Sequence, residues 1–170
     1  MRQRLAKALE RAQTELGHLT PDQTRWSPEA GQWSVDECLA HLVATHDAYL
    51  PGLVAATGSA APRAHASARF RSGWIGRMIR ASVHPEAKRR IKAPRTFAPR
   101  VSRLPEPALE AFLSTHRDLA HRIDATEELD WHKIRLATPV STLLRLRLGD
   151  AYWILAGHAQ RHVDQAVRLT

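Results

Sequence analysis

Apolar residues in this chain return at alternating steps of three and four, the period of one helix face. Almost nowhere do they alternate at the step of two that a half-buried strand requires. Leu5, Leu9, Ala12, Leu16 and Leu19 follow that rule and predict an amphipathic helix over residues 2–18. Gly17 weakens it and Pro21 stops it. A turn-rich stretch then leads to "SVDE", a capping box in which the Ser34 hydroxyl accepts from the Glu37 amide while the Glu37 carboxylate reaches back. A second helix is expected from there to about residue 56, with Val35, Leu39, Leu42, Val43 and Leu50 on its apolar face and a kink near Pro51.

Residues 58–104 lack long apolar periodicity and are rich in Ala, Pro and Arg, with "GWIGRMIR" as a short helix inside them. After "PEP", Leu109, Phe112, Leu113, His116, Leu119, Ala120 and Ile123 mark a third helix. "DATEELDWHKIRLATPVS" reads as an irregular connection, and a last helix is expected from near Asp150 to about Leu169. The fold class this predicts is all-α: one domain over residues 1–170, a four-helix bundle, with a long basic crossover between helices two and three that lets those two run parallel. The five tryptophans are expected in the core or at the bundle ends, Trp33 as a staple ahead of the Ser34 cap.

A chain of 170 residues can bury a core without disulfides, and Cys38 is the only cysteine, so no intrachain disulfide can form. A lone thiol suits a reducing compartment, which makes the cytoplasm the expected location. The N-terminal residues alternate charged and apolar side chains rather than forming a signal peptide's apolar block, and no window approaches the roughly 20 apolar residues of a membrane span. No membrane partner is expected.

The net charge of +8 is concentrated: residues 63–103 hold twelve Lys and Arg against one acid, Glu86. The remainder holds thirteen bases and sixteen acids. Because Phe70, Trp74 and Phe97 are the only aromatics in that segment, it lacks the interleaved stacking residues of a single-strand platform, and a nucleic-acid partner is not expected.

Leu148, Ala151, Leu155, His158, His162, Gln165 and Leu169 form the core stripe of the last helix, so two imidazoles occupy positions a bundle fills with leucine. A buried polar group left unpaired costs roughly 1–3 kcal/mol, and a shared metal satisfies both rings at once because residues four apart lie on one helix face. A third ligand must come from another helix. His41 and His46 in the second helix and His116 and His121 in the third are the candidates, and spacing alone does not choose among them. His18, His65, His84, His121 and His132 lack partners at ligand spacing and are assigned to the surface. Cys38, one turn before His41, is either a small buried residue or a metal neighbour.

"GQWSVDECLAHL" (residues 31–42) resembles the W-[ST]-x-x-E/Q-x-x-x-H-L signature of the DinB/YfiT-like superfamily, and "HAQRHVDQ" (158–165) resembles its C-terminal H-x-x-x-H-x-x-Q. The order and separation of the motifs match across nearly the whole chain. The resemblance implies an up-down-down-up bundle and a divalent metal, Zn, Ni, Mn or Fe, held by His41, His158 and His162. Gln165 is then a polar neighbour of the ligands. Glu37 is foremost a capping residue, and from the same side as His41 it can also bond a ligand nitrogen or a metal-bound water. Glu37 and His46 are the weak catalytic candidates.

Three neutral imidazoles leave open positions on such an ion, which can activate a bound water or thiol at neutral pH. The resemblance therefore implies a metal-dependent enzyme on a small molecule, a transferase using a low-molecular-weight thiol or a hydrolase. Arginines of the crossover can clamp an anionic cosubstrate. The alternative is a non-catalytic metal-binding or stress-related bundle protein. A homodimer accords with the family, although no residue fixes its interface.

Overall fold

The computed structural model describes residues 1–58, 60, 70–82, 94–104 and 106–170. The described residues are mostly helical, with one small two-stranded sheet. Four long helices carry the fold: α1 (Arg2–Leu16), α3 (Val35–Gly58), α5 (Ala108–Ala125) and α6 (Leu148–Val167). Two short ones, α2 (Pro21–Arg25) and α4 (Trp74–Ser82), lie between them. The long helices touch in a closed cycle, α1 against α6, α6 against α3, α3 against α5 and α5 against α1.

The predicted stripes point into that cycle. On α1, Leu5, Ala8, Ala12 and Leu16 are buried while Leu9 and Leu19 pack at the margin. On α5 the buried residues are Ala108, Ala111, Phe112, Leu113, His116, Leu119 and Ile123. Tyr152 of α6 is fully enclosed, its hydroxyl 3.1 Å from Thr126 Oγ1. Burying side chains of this size contributes about 1.5–3 kcal/mol each, far more than the surface ion pairs of Arg2 with Asp124 and Glu127.

α3 begins as the capping box requires: the Ser34 amide donates to Glu37 Oε2 at 2.9 Å and the Glu37 amide to Ser34 Oγ at 3.2 Å. The helix continues through Pro51 to Gly58. Leu50, expected on its apolar face, is only half-buried, and Tyr49 and Leu53 fill the core there instead.

Three expectations are corrected. Pro21 does not simply stop the first helix; with Thr20 as cap and Gln23 completing a second capping box it opens α2, the place at the first turn where a missing N–H costs nothing. The stretch taken as irregular, residues 124–141, contains the strand β1 (Arg135–Thr138), which forms an antiparallel hairpin with β2 (Ser141–Arg147), a strand that runs on beyond it. Its Leu136 and Leu146 face each other across the strands and are both buried. Because β2 runs straight into α6, the last helix starts at Leu148, ahead of Asp150. Its first amides, those of Leu148 and Gly149, donate to the carbonyls of Ile134 and Trp131. Finally, Trp26 and Trp74 are exposed rather than packed.

Of the crossover, α4 confirms the short helix, and the chain returns over α3 through two 3-10 turns, Arg95–Phe97 and Val101–Arg103. His65 and His84, assigned to the surface from sequence, lie outside the described residues, as does much of the basic run itself. No helix among the described residues is long and apolar enough to cross a membrane.

Candidate metal centre

α3 and α6 lie side by side, and their contact brings His41 to His158 and His162. One ligand nitrogen from each ring falls within 4.8 Å of the others. The Nε2 atoms of His41 and His158 are 2.8 Å apart. The rings meet edge to face, with centroids 4.9 Å apart for His41 and His158, 4.7 Å for His41 and His162, and 4.6 Å for His158 and His162.

The outer nitrogens decide the tautomers. His41 Nδ1 donates to the Phe97 carbonyl at 2.5 Å, and His162 Nδ1 donates to Gln165 Oε1 at 3.0 Å. In a neutral imidazole a committed Nδ1–H leaves the lone pair on Nε2, so both rings turn their lone pairs inward. His158 Nδ1 is buried and finds no hydrogen-bond partner among the described residues.

Burial holds the three rings in the neutral form a metal needs. His41 is pushed below the ordinary histidine value by burial, partly opposed by its bond to Phe97. His158 is driven well below it by burial first and then by His162 and His41. His162 is lowered to about 3, again by burial first and His41 next. The donor set therefore fits a divalent cation: three uncharged nitrogens, two of them oriented by carbonyl acceptors, in a water-poor interior.

The other histidines stand apart. His46 is buried on α3, with Nδ1 3.2 Å from Asp47 Oδ1 and Nε2 3.6 Å from Asp118 Oδ2. Its ring centroid is 5.9 Å from that of His116. His116 donates from Nδ1 to the Phe112 carbonyl at 3.1 Å, a core histidine satisfied by its own helix. His121 is exposed. His132, assigned to the surface, is instead half-buried: Phe70 packs on its ring and the Arg71 amide donates to its Nε2 at 2.9 Å. Cys38 is fully buried, its thiol is pushed up to about 12 by burial, and it is not among the residues whose ligand atoms converge. Glu37 keeps its carboxylate on the Ser34 amide.

Two participants were not legible as such. Trp33, read as a staple, lays its ring 4.7 Å from that of His41 and 5.6 Å from that of His162. It also lines an open cleft of about 620 Å³ formed by residues 27–33 and Glu37, so the indole stands between that cleft and the rings of His41 and His162. The loop that places this indole is tied by Ser27 Oγ donating to the Gln32 carbonyl at 2.8 Å, and turns through Gly31 at φ 82°. Phe97 contributes only a backbone oxygen, positioned by the 3-10 turn and by its ring stacking on Tyr49 at 6.3 Å.

Fold and site together define a helical protein with a preformed three-imidazole cluster between two helices. The family model described as the DinB superfamily matches residues 2–166, and the chain belongs to that superfamily. No curated protein and no solved structure matches the chain in such a comparison.

Proposed function

We propose that this protein is a metal-dependent enzyme acting on a small molecule, a transferase using a low-molecular-weight thiol or a hydrolase. The convergence of His41, His158 and His162 is the observation that carries this reading. Those three residues are the proposed ligands, for Zn, Ni, Mn or Fe. When bound, the ion supplies Lewis acidity that lowers the pKa of a coordinated water or thiol.

The chain's own groups have separate tasks. Phe97 O and Gln165 Oε1 fix the ring orientations; Trp33 stands between the cleft and the rings of His41 and His162, and that cleft is the proposed route of approach. Glu37 lines that cleft, which keeps it a weak catalytic candidate beside its cap. His46 lies outside the cluster and its proposed role shrinks accordingly. The proposed architecture is a single up-down-down-up bundle, in keeping with the cycle of contacts among the four long helices; a homodimer and a cytoplasmic setting complete the reading.

The test is metal content of the wild type beside His41→Ala and His162→Ala, followed by turnover on thiol conjugates and model esters. Stoichiometric metal in the wild type and loss in both variants is expected. Metal without turnover would instead favour the non-catalytic binding protein.

A further inference from the structure

The end of the molecule formed by α4 and the hairpin presents apolar side chains that no core position explains. On α4, Ile75, Gly76 and Ile79 turn toward the protein, so the opposite face shows Trp74 and Met78, 69% and 59% exposed. On the hairpin, Val140 at the turn is 51% exposed and Leu143 stands 94% exposed beside Arg145 on the outer face of β2. The two elements adjoin. α4 packs against α6 and β2. Its leading residues are stitched to the hairpin region by Arg147 Nη1 donating to the Arg71 carbonyl at 3.2 Å and by the Arg71 amide donating to His132.

Charge on this surface is predominantly positive, with the half-buried Asp130 at its margin 3.8 Å from Lys133. Residues 70–82 and 131–149 contain no Asp or Glu, while Arg71, Arg77, Lys133, Arg135 and Arg145 are exposed. Apolar tips set among arginines, with an indole at their edge, match the requirements of the boundary between headgroups and acyl chains. Basic side chains are drawn to an anionic leaflet, and inserted apolar groups add to that attraction. A second copy of the chain would set like charges against each other. Nucleic acid would leave Leu143, Met78 and Val140 without a partner, since stacking needs π-faces and Trp74 alone supplies one here.

We infer that this surface docks the protein peripherally onto anionic lipid bilayers. Such docking requires no spanning helix, so it departs from the sequence expectation of no membrane partner, which rested on the lack of a span; none of its residues belongs to the metal centre. Co-sedimentation of the full chain with vesicles of phosphatidylcholine containing about 30% phosphatidylglycerol tests it, against vesicles of phosphatidylcholine alone. Expected are binding to the anionic vesicles only, weakening with salt, and a loss of roughly tenfold or more in Trp74→Ser/Leu143→Ser, whose substitutions touch exposed positions. Circular dichroism identical to wild type certifies that variant's fold. Absence of binding to anionic vesicles, equal binding to neutral ones, or full binding by the double variant overturns the inference. So does tighter binding to DNA than to vesicles that the two serines leave unchanged.

Discussion

His41 and His158 meet Nε2 to Nε2 at 2.8 Å, and the proton between them sits on His158, because the Nδ1–H of His41 is already given to the Phe97 carbonyl. His41 is thus held as an acceptor by a backbone oxygen from the far side of the crossover. Were His158 to hold a cation through Nε2, its proton would have to move to Nδ1, which has no acceptor among the described residues. His41 and His162 are the two rings already presented as ligands, and His158 is the one that adjusts.

Gln165 is the side-chain acceptor among the orienting groups, so it is the one that mutation can remove. Gln165→Leu is expected to lower metal affinity by about 10–100-fold with stoichiometry retained at saturating metal, because His162 loses the bond that fixes its tautomer. Competition with a chelator of known affinity measures this. Unchanged affinity would show that packing alone orients the ring.

The helical stripes and the three imidazoles were readable because both are expressed as side-chain periodicity. Trp33 and Phe97 were not read as parts of the site for different reasons. Trp33 precedes a helix cap, where a staple explains an aromatic equally well. Phe97 acts through a carbonyl every residue possesses, so no spacing rule can find it. The hairpin was missed because its alternation, Leu144 to Arg147, is short and merges at Leu148 with the three-and-four stripe of α6. Asp150 marked the expected start of the last helix. It is buried and accepts from the Gly73 amide at 3.2 Å, serving the start of α4 instead.

Glu37→Ala separates capping from catalysis. Loss of the reciprocal bond to Ser34 is expected to cost about 1 kcal/mol of stability, read as a shift in the denaturant midpoint. Metal content stays at the wild-type level if the carboxylate only caps. A large fall in turnover at equal stability would return Glu37 to the chemistry.

Trp33→Ala removes the wall over His41 and His162. The expected result is several-fold faster stripping of metal by a chelator, with equilibrium affinity changed less than the rate. Stopped-flow chelation resolves the two. Equal rates would mean that exchange follows another path.

Acid sensitivity follows from the buried rings. His116 is held at about 3 by burial first and His46 next, and His162 also at about 3. In the unfolded chain both titrate near 6.5, so between pH 6.5 and about 3 the unfolded state binds more protons and stability falls as pH falls. Each ring contributes a slope of roughly 1 kcal/mol per pH unit in that window, and nothing above it. Metal-free protein should therefore lose denaturant resistance from pH 7 to pH 5, and His116→Met should lose less over the same interval. Parallel pH profiles for the two proteins would refute the assignment.

Gly76 sets two opposing magnitudes against each other. It lies inside α4, where replacing Gly by Ala ordinarily gains about 1 kcal/mol of helix propensity. At this position a Cβ would sit 2.1 Å from Asp150 Cγ and 2.2 Å from its Oδ1. Asp150 is buried and its Oδ2 accepts from Gly73, so its carboxyl cannot swing aside without giving up that bond. Overpacking of this kind costs about 1–3 kcal/mol, and an abandoned buried acceptor a similar amount again. The cost outweighs the propensity gain, and Gly76→Ala is expected to destabilise the protein by a few kcal/mol or to release α4 from α6. Thermal unfolding with protease cleavage near residue 74 distinguishes these outcomes. A more stable variant with α4 still protected would mean that the helix stands farther from Asp150 than the contact implies.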